Sequence, residues 1–256
     1  TVDKTSGKVI ANSDLSFSNA VVNFNNGRLD IPDDGKITLS GQHLQNVNIY
    51  GNNLTLDMTG AYLYSNVKVY AKNLTLTGTV NIGASVYFYS NLIVVGTLQN
   101  HTTGHQTLFV YDYLDTQANG NITNQGTIQD NSPYNFYIQV KGNVAHHGTA
   151  WSNDTLTLNG TADQHVSGNA FTVTNFTVDK TSGKVIANSD LSFNNAKVDC
   201  NSCRLDIPDD GKISLSGQYL RNVNIYGNNL TLDMTGAYLS THEIEEHTSE
   251  LQSRQS

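Results

Sequence analysis

Two cysteines lie three residues apart, at Cys200 and Cys203, and they are the only cysteines of the chain. A CxxC pair can be redox-active or can supply half of a zinc site. Because there is no second CxxC, the zinc interpretation lacks its other half. The equivalent positions in a duplicated segment are Phe24 and Gly27, so the fold does not need the thiols. The motif predicts a local disulfide or two idle thiols, with the disulfide favoured in an oxidising compartment.

The histidines have no metal-binding spacing that suits their surroundings. His101 and His105 are four residues apart, but they flank Gly104 in a strand-rich region and lack the glutamate of a metallohydrolase helix. His146 and His147 are the other close pair. We expect these side chains to lie in solvent-facing loops, and we assign no metal site and no cofactor.

The carboxylates do not form an obvious catalytic column. Asp33 and Asp34 fall in a turn, and Asp57 is expected to face outward beside Thr77. A calcium site that would use Asp30 with the two turn aspartates lacks the ligand count of a recognised calcium loop. We therefore assign no catalytic residues.

Three tyrosines recur at nearly equal intervals, at Tyr50, Tyr70 and Tyr89. On the outer face of stacked coils they would form a column, and aromatic rings there can pack against sugars or an apolar partner surface. The alternative is a ladder that only stabilises the fold through contacts between neighbouring strands. These tyrosines are the candidate ligand-binding residues, with both interpretations open.

The elements that must position these residues belong to a tandem array. Residues 1–63 and 177–239 are identical at 54 of 63 positions, so that Thr177 is the equivalent of Thr1. Self-similarity at a fixed period indicates a repeat architecture. We predict one solenoid domain over residues 1–239, in which the long repeat unit is the segment 1–176.

A shorter period lies inside the long one. Short strand-like runs recur between Gly, Asn, Asp and Ser turns, and those at 46–50 and 53–56 return 20 residues later. A period of about 20 residues with two or three strands is typical of one coil of a parallel β-solenoid, and about a dozen coils would fit. Alternation predicts that eight side chains point inward as stacked columns: Val47, Ile49, Leu54, Leu56, Val67, Val69, Leu74 and Leu76.

Asparagines precede the same strand in successive coils, at Asn53, Asn73 and Asn91, and at the duplicate Asn229. Stacked amides can form a hydrogen-bonded ladder along the array. Asn also tolerates the backbone angles of turns. The sequence leaves these two interpretations equally open.

Composition excludes several classes of function. Only 14% of the residues are charged, the formal net charge is −8, and there is no basic cluster to bind nucleic acid. No apolar run approaches the roughly 20 residues of a membrane-spanning helix. The 38% of hydrophobic residues come in regular runs, which argues against disorder.

The run Thr157–Gly168, followed by Phe171 and Asn175–Lys180, resembles the repeats of secreted bacterial surface proteins with β-helical adhesin-like structure, some of which carry sorting domains. Residues 121–128 resemble repeats of the filamentous-haemagglutinin style. The resemblance implies a right-handed parallel β-helix, an extracellular or cell-surface location, and a structural or adhesive role. It brings no catalytic residues.

The last residues, 240–256, differ in character from the repeats and resemble the translation of a common sequencing adapter. We expect this tail to be non-native or disordered, the alternative being a genuine polar terminal helix. For the rest of the chain we expect a non-enzymatic adhesin stalk or surface scaffold, in contact with glycans or self-associating. The alternative is a polysaccharide lyase or hydrolase built on a β-helix.

Overall fold

The computed structural model describes residues 7–101, 105–112 and 120–240, together with the backbone of Gln252–Arg254. Within these residues the ordered elements are all β-strands, paired in parallel. Their bounds are β1 Lys8–Ile10, β2 Leu15–Ser18, β3 Val22–Asp30, β4 Lys36–Ser40, β5 His43–Tyr50, β6 Asn53–Leu63, β7 Val67–Ile82, β8 Val86–Val94, β9 Thr97–Asn100, β10 Gln106–Tyr111, β11 Ile122–Asn124, β12 Thr127–Gln129, β13 Phe136–Val140, β14 Val144–His146, β15 Ala150–Leu158, β16 Gln164–Gly168, β17 Thr172–Val178, β18 Val185–Ala187, β19 Leu191–Asn194, β20 Lys197–Asp206, β21 Lys212–Ser216, β22 Tyr219–Tyr226, β23 Thr231–Asp233, β24 Tyr238–Ser240 and β25 Gln252–Arg254.

The strands form a β-solenoid of about eleven turns, which confirms the predicted parallel β-helix. Each coil has three sides, and we name them from one coil. Face A contains residues 47–50, face B contains residues 53–58, and face C contains residues 61–63. Longer strands such as β6 and β7 turn a corner and contribute to more than one face.

The predicted columns of inward side chains are confirmed. Leu54 lies directly beside Leu74, and Leu74 beside Leu92, on face B. On face A, Val47 pairs with Val67 in the same way. The predicted inward side chains are at most 1% exposed. Since a single coil cannot bury these residues, each coil depends on the coils above and below it.

One continuous hydrophobic core runs through the described coils, from Ala11 to Leu232. Of the predicted tail, the structure describes Ser240, which ends β24, and the backbone of β25, which pairs with β23. Residues 241–251 and 255–256 lie outside the described residues. The expectation of a non-native or disordered tail therefore stays a prediction.

Glycines stack at the corner between faces B and C, where neighbouring backbones approach closely. A Cβ built on Gly126 would lie 2.1 Å from the carbonyl oxygen of Gly96, and one on Gly148 would lie 2.1 Å from that of Gly126. Real Cβ atoms do not approach oxygen this closely, so only glycine fits this corner. The glycines also preserve backbone hydrogen bonds, since the amide of Gly126 donates to the carbonyl of Val94 at 2.9 Å.

We predict that Gly126→Ala destabilises the protein by about 1–3 kcal/mol, because the neighbouring backbone must move to admit the methyl group. Gly51→Ala is the matched control: its Cβ would meet no atom closer than 3.7 Å. That variant should be neutral or more stable by about 0.4–1 kcal/mol. Chemical denaturation of both variants measures the difference, and equal stabilities would contradict the account of the corner.

Candidate functional site

The three candidate tyrosines form a stacked column on the outside of face A. The ring centroids of Tyr50 and Tyr70 are 4.6 Å apart with planes at 12°, and those of Tyr70 and Tyr89 are 4.7 Å apart at 1°. The strand register places the three residues directly beside one another. Burial, followed by the neighbouring tyrosines, raises the pKa of Tyr70 to about 12, so its phenol stays protonated at physiological pH.

A second aromatic column lies next to the first. Tyr87 stacks on Phe109 with centroids 4.5 Å apart and planes at 5°. Lys68 lies 5.8 Å from the ring of Tyr87 on the preceding coil. At the start of the tyrosine column, the Arg28 guanidinium covers the Tyr50 ring at 3.9 Å from its centroid. Because the ring faces meet each other or a cation, the edges and hydroxyls are what the column presents to solvent.

Amide side chains form hydrogen-bonded ladders on the other two faces. On face B, Asn73 donates to Asn53 at 2.8 Å, Asn91 to Asn73 at 3.3 Å, and Asn121 to Asn91 at 3.1 Å. The ladder interpretation is therefore confirmed for this run. The duplicate Asn229 has a left-handed backbone with φ of 53°, which shows the tolerance of Asn for turns.

A shorter amide ladder follows face C. Gln99 donates to Asn81 at 2.7 Å, and Gln129 donates to Gln99 at 2.6 Å. The side chain of Asn81 in turn donates to the carbonyl of Ala61 at 2.8 Å. In both the amide ladders and the aromatic columns, each outer side chain contacts its counterpart on the next coil along the rod.

A polar groove of about 150 Å³ contains a pair of carboxyl groups that the sequence did not reveal. Asp130 follows β12 and Asp154 lies within β15, and both carboxyl groups line the groove. Val173 and several hydroxyl and amide residues also line the groove: Ser152, Asn153, Thr172, Thr174, Asn194 and Asn195. The two aspartates come from neighbouring coils on face C, where β12 pairs with the start of β15.

The pKa of Asp154 is raised above the ordinary range of aspartate. Burial is the main cause, and the neighbouring carboxyl group of Asp130 adds to the rise. The amide of Phe136 donates to Asp154 at 2.6 Å and opposes the shift. Glycosidases act through a pair of carboxyl groups about 5–9.5 Å apart, one of which has a raised pKa.

The sequence did not reveal this pair, because the period found in the earlier coils is 20 residues. Asp130 and Asp154 are further apart than that period, so it does not place them side by side. An alignment of the face C strands would have found the pair. Ile128 lies beside Trp151 on that face, which brings Asp130 close to the residues that follow Trp151.

The structure contains Cys200 and Cys203 as two thiols. They flank a corner in which Asn201 and Ser202 both have positive φ values, 44° and 65°. Cys200 is buried in the core, and the neighbouring Cys203, followed by burial, raises the pKa of its thiol. Cys203 is partly exposed. The disulfide between them stays a prediction for oxidising conditions.

One histidine expectation was wrong. His146 lies in β14 and is 1% exposed, packed against Trp151 and Phe171. It points inward because it alternates with Ala145, in step with the buried Val144. Burial lowers the pKa of His146, so the ring stays neutral in the core. Of the other close pair, His101 stacks on Tyr62 with centroids 4.7 Å apart, and His105 is exposed.

Two of the three carboxylates considered for calcium have partners of their own. Asp30 is ion-paired with Lys8 and Arg28, and Asp34 accepts a hydrogen bond from Asn53 at 2.9 Å. Asp57 lies beside Thr77 as expected and is ion-paired with Lys36. Among the residues that the structure describes, no three His, Cys, Asp or Glu side chains are grouped closely enough to hold a metal ion.

In comparisons with known proteins, no family model, no curated protein and no solved structure matches the chain. The similarity to adhesin-like repeats therefore rests on the residues quoted above, and the structure supports it at the level of the β-solenoid. The described part of the chain has no helix that is long and apolar enough to cross a membrane.

We predict opposite pH dependences for two aspartates. The pKa of Asp154 is raised, so the folded state keeps a proton that the unfolded chain has lost, and stability falls as pH rises through that window. Asp154→Asn removes this cost while keeping an acceptor for Phe136. The variant should melt about 2 °C above the wild type at pH 7, and the difference should vanish near pH 3.

Asp57→Asn is the control with the reverse sign. Lys36 lowers the pKa of Asp57, so the stabilisation is present at neutral pH and is lost as pH falls below the ordinary range of Asp. This variant should melt below the wild type at pH 7 and approach it in acid. Thermal melts from pH 2 to pH 8 measure both, and shifts of the same sign at neutral pH would contradict the assignment.

Proposed function

We propose that the chain is part of a non-enzymatic extracellular repeat protein that serves as an adhesin stalk or surface scaffold. The observation that carries the proposal is the use of the outer side chains. Tyrosine rings on face A and amides on faces B and C bond to the next coil along the rod. Contacts of this kind stiffen a rod, and they occupy groups that a ligand would otherwise use.

The strand pairings that hold such a rod together are repeated within the chain. The register of Leu15 with Ile37 recurs between Leu191 and Ile213, which are the equivalent residues of the second copy. A rod of equivalent units can hold weak binding groups at regular spacing, so that many contacts add by multivalency. The partners we propose are surface glycans or other copies of the chain, contacted through the ring edges and hydroxyls that the tyrosine column presents to solvent.

A polysaccharide lyase or hydrolase remains the second candidate, because a specific observation favours it. The groove at Asp130 and Asp154 contains a carboxyl with a raised pKa among hydroxyl and amide groups that suit a sugar. A perturbed carboxyl in a polar groove is a recognised sign of an active site. The outer contacts that carry the scaffold proposal extend over several coils, and for that reason we rank the scaffold above the enzyme.

We predict that replacing all three tyrosines of the column by serine lowers the free energy of unfolding by about 2–4 kcal/mol, because two stacked pairs and their buried area are lost. The triple phenylalanine variant keeps the stack and should stay within about 1 kcal/mol of the wild type. Binding to a panel of immobilised glycans is measured on all three proteins. Unchanged stability in the serine variant would contradict the stiffening role, and glycan binding lost with the hydroxyls alone would show that the column is a ligand site.

The enzyme candidate is tested on the same preparation. Neutral and anionic polysaccharides are incubated with the wild type and with Asp154→Asn, and new reducing ends and unsaturated uronates are measured. We expect equal, background-level release from both proteins. Release by the wild type that disappears in Asp154→Asn would overturn the non-enzymatic proposal and identify the groove as an active site.

A further inference from the structure

The two copies of the duplicated segment lie on different faces of the rod. In the first copy, Val9 of β1 pairs with Leu29 of β3, and β3 continues along face A through β5 and β7. In the second copy, the equivalent Val185 of β18 pairs with Leu205 in the same local register. However, β18 stacks on β16 and β14, which belong to face B.

The same displacement applies to the following strands. Strand β2 is on face B with β4 and β6, whereas its duplicate β19 bridges at Phe193 to Phe171, next to the face C segment of β17. The first residues of β3 are on face C, whereas the first residues of β20 pair with β17 on face A. Each strand of the second copy is thus one face further round than its equivalent.

The displacement follows from the number of coils in the long period. Along face A, eight successive pairings lead from β1 to β17, through β3, β5, β7, β8, β10, β13 and β15. The next strand, β18, is the duplicate of β1 and lies one face beyond β17. The segment 1–176 therefore contains eight coils and one further side, which is about 8⅓ coils at roughly 21 residues per coil.

We propose that units of this period join with a rotation of one face, so that the outer columns wind around the rod instead of lying along one side. The element that begins the tyrosine column shows this directly. Arg28 covers Tyr50 at 3.9 Å on face A, and its duplicate Arg204 covers Tyr226 at 4.1 Å on face B. At about 4.8 Å per coil, equivalent groups are about 40 Å apart along the axis and a third of a turn apart around it.

The rotation selects the kind of partner. A rod that binds one flat surface, such as a crystalline polysaccharide, needs a whole number of coils per unit so that its binding groups stay on one side. With 8⅓ coils, three successive units face three directions and the fourth repeats the first. The surface suits separate partners that approach from all sides, and flexible glycan chains are partners of this kind. The inference does not depend on the proposed function, since it rests on strand register alone.

Disulfide trapping in the full chain tests the junction between the copies. In a Cys200→Ser, Cys203→Ser background, Asn175→Cys with Lys197→Cys joins residues that the rotated junction places side by side. Without rotation, Lys197 would lie on face C, as its equivalent Val21 does, in the neighbourhood of Thr172. The pair Thr172→Cys with Lys197→Cys represents that arrangement. Thr172→Cys with Asn194→Cys is the positive control, because these side chains are 3.5 Å apart.

We expect the first pair and the control to close on mild oxidation, and the Thr172–Lys197 pair to stay reduced. Closure of the Thr172–Lys197 pair, or failure of the first pair when the control closes, overturns the rotation.

The winding itself is visible in a longer array. A longer protein is made by placing two further copies of residues 1–176 ahead of the full chain, in the same cysteine-free background. Each of the three 176-residue units then carries Lys68→Cys, and a gold label is attached to each of these cysteines. Electron microscopy should show labels about 40 Å apart on three sides of the rod. Labels on one straight line overturn the proposal.

Discussion

The stacking of one coil on the next, at the spacing of neighbouring strands, is the constraint on which the rest of the structure depends. Parallel pairing in register brings equivalent residues of successive coils side by side, about 4.8 Å apart. The side chain of a residue is then largely surrounded by its own counterparts. Aliphatic groups gain an apolar core in this way, aromatic rings stack, amides exchange hydrogen bonds, and glycines admit the backbone of the next coil.

This constraint also explains where the rod departs from a simple aliphatic interior. Between Ser90 and Gln164, buried polar side chains enter the core, and several of them bond to neighbouring backbone or side-chain groups. Gln164 donates to the carbonyls of Val140 and Gly142, and Asn153 accepts from the Trp151 indole at 2.9 Å. The interior tolerates them because a buried polar group costs little when it is hydrogen bonded. The carboxyl pair of Asp130 and Asp154 belongs to the same region, where coils are longer and less regular.

The nine differences between the copies depend on whether a position points into the core or outward. Phe24 becomes Cys200 at an inward position, with both side chains buried, whereas Val21 becomes Lys197 at an outward position. The columns of Val47, Ile49 and Leu54 are kept in the duplicate as Val223, Ile225 and Leu230. Outward positions are free to vary between units because the register is held by the interior.

The sequence by itself determined the array, the 20-residue coil and the inward columns, because exact repetition and alternation are local properties that stacking translates directly into neighbours. It also determined the tyrosine column and offered the asparagine ladder as one of two interpretations. Only the tertiary structure decided that the rings turn their faces to each other, that His146 is buried, and that Asp130 meets Asp154. It alone revealed the rotation between copies, because that depends on the sum of all coil lengths in a unit. Coils of irregular length carry no periodic signal, so their register is settled by packing against the neighbouring coils.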